Sequence, residues 1–203
     1  MMIAIIDYGV GNLFSLKSSF AAIGEDAVVT GDVKGMQAAD RLILPGVGAF
    51  GDASEKLFKS GLAGEIELET ANGKPLLGIC LGMQLLFEKS LEYGEHTGLG
   101  LLQGKVVPMR GIVPSTLKIP QIGWNALKFV KPSPLFKNID DGAYVYFVHS
   151  YFASECGDSL IAFTEYGADI SAAVQKDNVF GCQFHPEKSG DVGLKILKAF
   201  CEV

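Results

Sequence analysis

The chain reads as an α/β fold, with one doubly wound, mainly parallel sheet, helices on both faces and an antiparallel extension. Three observations predict it. Strand-like and helix-like runs alternate through the first half of the sequence. The run at 76–79 is apolar throughout, as a parallel strand covered on both faces requires. The second half is a succession of short strand-like runs separated by Pro, Gly and Asp. The 203 residues suffice for one large core, and no repeat, low-complexity tract or linker divides them, so 1–203 is expected to be a single domain.

Residues 3–6 form the first strand. Ile3-Ala4-Ile5-Ile6 is stopped by Asp7 and lacks the basic flank and cleavage signature of a secretory leader. Residues 12–23 form a helix, because Leu13, Leu16, Phe20 and Ile23 recur at helical spacing. Short strands follow at 27–30 and 41–44. Residues 53–69 are helical, with a break expected near Gly61 and Gly64. The apolar run 76–79 is a buried parallel strand, and 83–89 reads as a helix packed behind it. Further strands are expected at 105–107, 124–129, 143–148, 160–164, 171–175 and 179–184. Residues 190–201 close the chain as a helix that turns Val192, Ile196, Leu197 and Phe200 inward. In such a sheet, ligands gather at the carboxyl ends of the strands.

Composition narrows the function. Hydrophobic residues make up 48%, yet no run is long enough to span a bilayer. The net charge of −6, with no basic run, argues against nucleic acid as a partner. The four cysteines, Cys80, Cys156, Cys182 and Cys201, are scattered and form no C-x-x-C pair. A reducing cytoplasm is their simplest home, and neither a metal nor another cofactor is expected. The only histidines are His96, His149 and His185, so few residues can serve as a catalytic base.

One cysteine stands apart. Residues 75–84 read Pro-Leu-Leu-Gly-Ile-Cys-Leu-Gly-Met-Gln. Cys80 thus ends a buried strand, fenced by Gly78 and Gly82, where the chain turns into a helix. This is the layout of a nucleophile elbow with sulfur in place of oxygen, and the helix terminus behind it favours the thiolate. Cys156, Cys182 and Cys201 read as inert core residues. A nucleophile needs a base, and the base an orienting group. His185-Pro186-Glu187, directly after a strand, supplies both: the imidazole can point out at the sheet's carboxyl edge, and Glu187 is close enough to fix its tautomer. His149 also ends an apolar run and competes as the base, but it lacks an adjacent carboxylate and ranks second.

Gly46-Val47-Gly48-Ala49-Phe50-Gly51 matches G-x-G-x-x-G and follows the strand at 41–44. A dinucleotide site would need it in the first βα turn and an acid at the end of the next strand. That strand ends at Cys80 instead. These glycines are better used to turn backbone N–H groups toward a developing oxyanion. Leu81 N–H, directly after the nucleophile, is one candidate donor. Gln84, one turn into the helix, either reaches the site or is a solvated helix residue.

The stretch 75–84 resembles the nucleophile signature of the class I (triad) glutamine amidotransferases, and His185-Pro186-Glu187 matches that family's base and carboxylate. The likeness extends over nearly the whole chain. Residues 7–13, 44–51, 122–125, 146–151 and 183–189 narrow it to the glutaminase subunits of imidazole glycerol phosphate synthases. Gln121 departs from the pattern, since many relatives carry His there. The resemblance implies a flavodoxin-like sheet, free glutamine as substrate, and Cys80, His185 and Glu187 as the triad. It implies Val47 N–H as the second oxyanion donor, with Gly48, Gln84 and the backbone at Ser150 and Tyr151 holding glutamine. It also implies a (β/α)₈-barrel cyclase partner that receives ammonia, touched by Asn12, Trp124, Asn125, Tyr146 and Lys188. The amidotransferase subunit of an anthranilate synthase shares the triad and stays open as an alternative. So do a stand-alone cysteine hydrolase and a nucleotide-binding module using Gly46 to Gly51.

Overall fold

In the computed structural model, which describes all 203 residues, the first half alternates strands and helices as the patterning requires. The strands are β1 (Met2–Ile6), β2 (Asp26–Thr30), β3 (Arg41–Gly46) and β4 (Leu76–Cys80). The helices are α1 (Leu13–Ala22), α2 (Val33–Ala38), α3 (Phe50–Lys59), α4 (Leu62–Ala71) and α5 (Leu81–Leu85). The second half adds β5 (Phe87–Ser90), β6 (His96–Thr97), β7 (Leu102–Pro108), β8 (Gln121–Ala126), β9 (Lys128–Phe129), β10 (Tyr144–His149), β11 (Tyr151–Ser154), β12 (Leu160–Glu165), β13 (Asp169–Lys176), β14 (Val179–Cys182) and α6 (Gly190–Cys201).

Eight strands form the main sheet in the order β2-β1-β3-β4-β14-β13-β12-β9. The first five are parallel and the last three join antiparallel. Alternation along each parallel strand sends successive side chains to opposite faces. Ile3, Ile5, Ile43 and Leu77 pack with Leu16 and Phe20 of α1 and Ile196, Leu197 and Phe200 of α6. Ala4, Ile6, Leu42, Leu44 and Leu76 pack with Met36, Leu57, Leu62 and Ile66 of α2, α3 and α4. Each fully buried Leu, Ile or Phe contributes about 1.5–3 kcal/mol relative to exposure. A mixed four-stranded sheet, β11-β7-β5-β6, in which β5 and β7 are parallel, and an antiparallel two-stranded ribbon, β10-β8, complete the fold.

Several elements differ from expectation. The helix anticipated at 83–89 is only α5, and Phe87–Ser90 is a strand. Leu85, Leu86 and Phe87 are all fully buried, so a helical stripe and a buried strand look alike there. The chain leaves the helix where Leu99 N–H and Leu102 N–H take the carbonyls of Leu85 and Leu86. The strand expected at 124–129 is two: β8 pairs with β10, β9 with β12, and buried Leu127 carries the chain between the two sheets. The helix break expected near Gly61 and Gly64 falls at Gly61, where φ is +77°, and Gly64 lies inside α4. The short elements α2 and β11 lack a long periodic signature and were not anticipated.

The elbow is held by close packing. A Cβ on Gly82 would lie 1.8 Å from the Leu44 carbonyl oxygen, and one on Gly78 would lie 2.7 Å from the Gly82 carbonyl oxygen. Only side-chain-free residues let α5 press onto β3 and β4. Gly82→Ala should therefore cost about 3 kcal/mol or more, read as a lowered denaturation midpoint; an unchanged midpoint would mean the contact yields easily.

Candidate active site

Cys80 has φ +55° and ψ −112°, a left-handed backbone for a residue with a Cβ. Such strain persists only when the surroundings hold it, and here the glycine-packed turn does so. Register then assembles the neighbours. Gly46 pairs with Cys80 and Cys182 with Ile79, so β3, β4 and β14 end nearly level. The loop 46–48, the thiol and the segment 183–187 emerge side by side. His185 is anchored through its own N–H to the Tyr146 carbonyl (2.9 Å) and through its carbonyl to Ser189 Oγ (2.6 Å).

His185 Nδ1 is 2.8 Å from Glu187 Oε1, and both side chains are almost wholly buried, at 4% and 2% exposed. Burial alone would push the imidazole down. Its hydrogen bonding and charge interactions with Cys80 and Glu187 outweigh that and lift it to about 10. His149 goes the other way. Burial pushes it down to about 4, and its two nitrogens already meet Tyr151 O (2.8 Å) and Gln121 Oε1 (3.1 Å). A neutral ring with both nitrogens engaged is a wall residue, which removes His149 as the competing base. Burial also raises the thiols of Cys156 to about 11 and Cys201 to about 12, and Cys182 rises strongly, so these three stay protonated.

Cys80 and His185 open into a cavity of about 410 Å³ that Val47, Gly48, Leu81, Gln84, Glu92, Ser150, Tyr151 and Lys188 also line. That volume suits a small polar metabolite. A larger cavity of about 560 Å³, bounded by Gln103, Lys131, Asp158 and Lys176 among others, contains no nucleophile–base pair. Gly48, at φ +92°, lets the loop turn beside the thiol. Gly51 of the literal G-x-G-x-x-G instead begins a helix and packs against His96, where a Cβ would come within 2.7 Å of the ring. Tyr8 Oη donates to the Pro45 carbonyl (2.7 Å) and fixes the start of the glycine loop.

A family model for class-I glutamine amidotransferases matches residues 4–202. The chain is a class-I glutamine amidotransferase. Curated relatives include the imidazole glycerol phosphate synthase subunits HisH of Caldanaerobacter subterraneus, 54% identical over 203 residues (100% of this chain, 98% of that protein), and of Sulfurimonas denitrificans, 54% identical over 202 residues (98% and 97%). A HisH subunit from Methanothermobacter thermautotrophicus is 48% identical over 202 residues (100% and 98%). Solved folds agree. A glutamine amidotransferase crystal structure superposes with a TM-score of 0.76 at 19% identity, covering 98% of each chain, and a chain of PurLQS from Thermotoga maritima with 0.75 at 20%, covering 99% and 97%.

Within this amidotransferase, the residues expected to meet a partner fall into two groups. Trp124 and Tyr146 are directly paired across β8 and β10, their rings 6.1 Å apart, and Lys188 Nζ lies 5.9 Å from the Tyr146 ring. Asn125 accepts from Gln121 Nε2 beside them. Asn12 is separate: it caps α1 through Ser15 N–H and lines a small recess with Val47, His185 and Glu187. Sequence reasoning missed Glu92, which reaches the cavity from the loop after β5 and accepts the Phe50 N–H at 2.6 Å. No local pattern marks it, because only the fold brings that loop to α3.

The raised imidazole gives a pH signature. A group whose folded pKa lies above its unfolded value of 6.5 stabilises the fold fully below 6.5 and loses that contribution as pH rises through about 10. Glu187→Gln should therefore lower thermal stability at pH 6–7, with the gap to the parent closing above pH 10. The His185 titration midpoint, followed by NMR, should move down; a midpoint unmoved by the substitution would sever the pair.

Proposed function

We propose that this amidotransferase is the glutaminase subunit of an imidazole glycerol phosphate synthase, working as one domain over residues 1–203. One observation carries the reaction. A buried imidazole bonded to a buried carboxylate interacts with a strained, cavity-facing thiol at the end of a parallel strand. The full-length likeness to HisH subunits supports the pathway.

The chemistry follows from the arrangement. His185 takes the Cys80 proton, and the thiolate attacks the side-chain amide carbon of glutamine. The oxygen charge that develops is met by Leu81 N–H and Val47 N–H. The imidazolium, held protonated by Glu187, gives its proton to the departing nitrogen, and ammonia leaves a γ-glutamyl thioester. Water, deprotonated by His185, then releases glutamate and restores the thiol. Gly48 and the backbone at Ser150 and Tyr151 hold the glutamine, and Glu92 is the anion placed to meet its α-ammonium. Gln84 spends both amide hydrogens on Tyr151 O (3.0 Å) and Gln183 Oε1 (2.9 Å), so what it offers a ligand is an acceptor oxygen.

Ammonia passes to a (β/α)₈-barrel cyclase, which makes imidazole glycerol phosphate and aminoimidazole carboxamide ribotide in histidine biosynthesis. The partners form a heterodimer with overall lyase activity. The docking face includes Trp124, Asn125, Tyr146 and Lys188, with Asn12 nearby. Ile122, Trp124 and Tyr144, each at least half exposed on the β8–β10 ribbon, add apolar surface there. All four cysteines are unpaired, in keeping with a reducing cytoplasm.

Two substitutions test this. Cys80→Ala should abolish glutamine-dependent turnover by the complex, at least about 10³-fold, while added ammonium salts still drive cyclisation; surviving glutamine hydrolysis would reject Cys80 as the nucleophile. Trp124→Ala should weaken cyclase affinity by about 1–2 kcal/mol, measured by titration calorimetry. Unaltered affinity and coupling would take Trp124 off the docking face.

A further inference from the structure

Gln183 is fully buried, directly after β14 and two residues before His185. Its Nε2 lies 3.7 Å from Cys80 Sγ, in hydrogen-bonding range for sulfur. Its Oε1 accepts from Gln84 Nε2 at 2.9 Å, and Gln84 Nε2 also donates to the Tyr151 carbonyl at 3.0 Å. An isolated amide can be turned end for end, but this one cannot. A backbone carbonyl only accepts, so Gln84 must present its NH₂ to Tyr151. The same NH₂ faces Gln183, which must answer with oxygen. The Gln183 nitrogen is thereby aimed at the sulfur. The Gln183 main-chain N–H is tied to the Ala172 carbonyl at 2.8 Å, which fixes the base of the side chain.

We propose that Gln183 is a catalytic hydrogen-bond donor to the Cys80 thiolate, held in its donating orientation by Gln84 and the Tyr151 carbonyl. When the thiol proton passes to His185, negative charge appears on sulfur. His185 meets it from one side and the Gln183 N–H from another. The need is real, because the helix behind Cys80 has five residues and supplies little beyond the N–H groups of its first turn. Hydrogen bonds to charged groups are stronger than neutral ones, and a donor that strengthens as charge forms favours the reactive state over the resting one. The proposal rests on Cys80 being the nucleophile, but it is read on the sulfur itself and not on turnover.

The experiment is alkylation of Cys80 by iodoacetamide across pH 5–10, followed by mass spectrometry of the peptide that carries it. Gln183→Met keeps the length of the side chain and removes the donor. It should slow alkylation at neutral pH about tenfold or more and move the pH–rate profile to higher pH. Gln183→Glu, which places an acceptor against sulfur, should move the profile further. Gln84→Met leaves Gln183 free to turn over and should give a smaller shift of the same sign. Unshifted profiles in folded Gln183 variants would overturn the proposal. If Gln183→Met does not fold, the side-chain amide resonances of Gln183 in the unsubstituted chain decide. They should move with pH as the thiol ionises and stop moving in Cys80→Ala; resonances indifferent to the thiol would overturn it. A chain in which Cys80→Ala still hydrolyses glutamine fails at the nucleophile, a result distinct from either outcome at Gln183.

Discussion

Three neighbouring parallel strands ending level with one another is the constraint on which the site depends. Gly46 lies opposite Cys80, and Cys182 opposite Ile79, so each strand delivers one component to the same edge. β3 contributes the glycine loop, β4 the thiol, and β14 the segment that runs through Gln183 to His185 and Glu187. A slip of one residue in a strand pairing would turn side chains to the other face of the sheet and separate the Cys80 thiol from the His185 imidazole. Apolar burial on both faces guards the register, since Ile43 and Leu77 belong to one core and Leu42, Leu44 and Leu76 to the other.

Within that frame the polar groups follow a simple electrostatic logic. Two histidines border one cavity, and burial pushes both toward neutrality. His185 escapes because its interactions with the Cys80 thiol and with the buried Glu187 carboxylate outweigh burial; His149 does not, because its neighbours are a carbonyl and an amide. The proton-carrying ring and the neutral ring are thus distinguished by what each faces. The β8–β10 ribbon, proposed above as the docking face, touches this arrangement directly. The Tyr146 carbonyl accepts the His185 N–H, and the Tyr146 N–H donates to Ser189 Oγ, which itself donates to the His185 carbonyl. A load placed on Trp124 and Tyr146 therefore reaches the base through two residues.

Much of the fold was legible because the first half is locally consistent: apolar strands, amphipathic helices and glycine punctuation agree with one another. The candidate triad was legible for a different reason, since a cysteine between glycines after an apolar run and a His-Pro-Glu after another each leave a local trace. The misread places share a cause. At 83–89 and 124–129 the apolar character is continuous, and the chain changes structure where distant N–H and C=O groups capture it: Leu99 and Leu102 in one case, Gly142 and Ala143 in the other. Glu92 and Gln183 had no signal as site residues, because an acid in a loop and an amide after a strand acquire meaning only from what packs against them.

By itself the sequence determined the α/β class, the strained position of Cys80 and the pairing of His185 with Glu187, because each depends on residues within a few positions of one another. It also weighed against the dinucleotide reading of Gly46 to Gly51, since the acid that reading needs is missing from the next strand. Tertiary structure alone decided that His149 is a neutral wall residue, that Glu92 enters the cavity, and that the Gln183 amide points its nitrogen at sulfur. These depend on burial and on the direction of hydrogen bonds between segments far apart in the chain, and neither quantity exists until the sheet has closed.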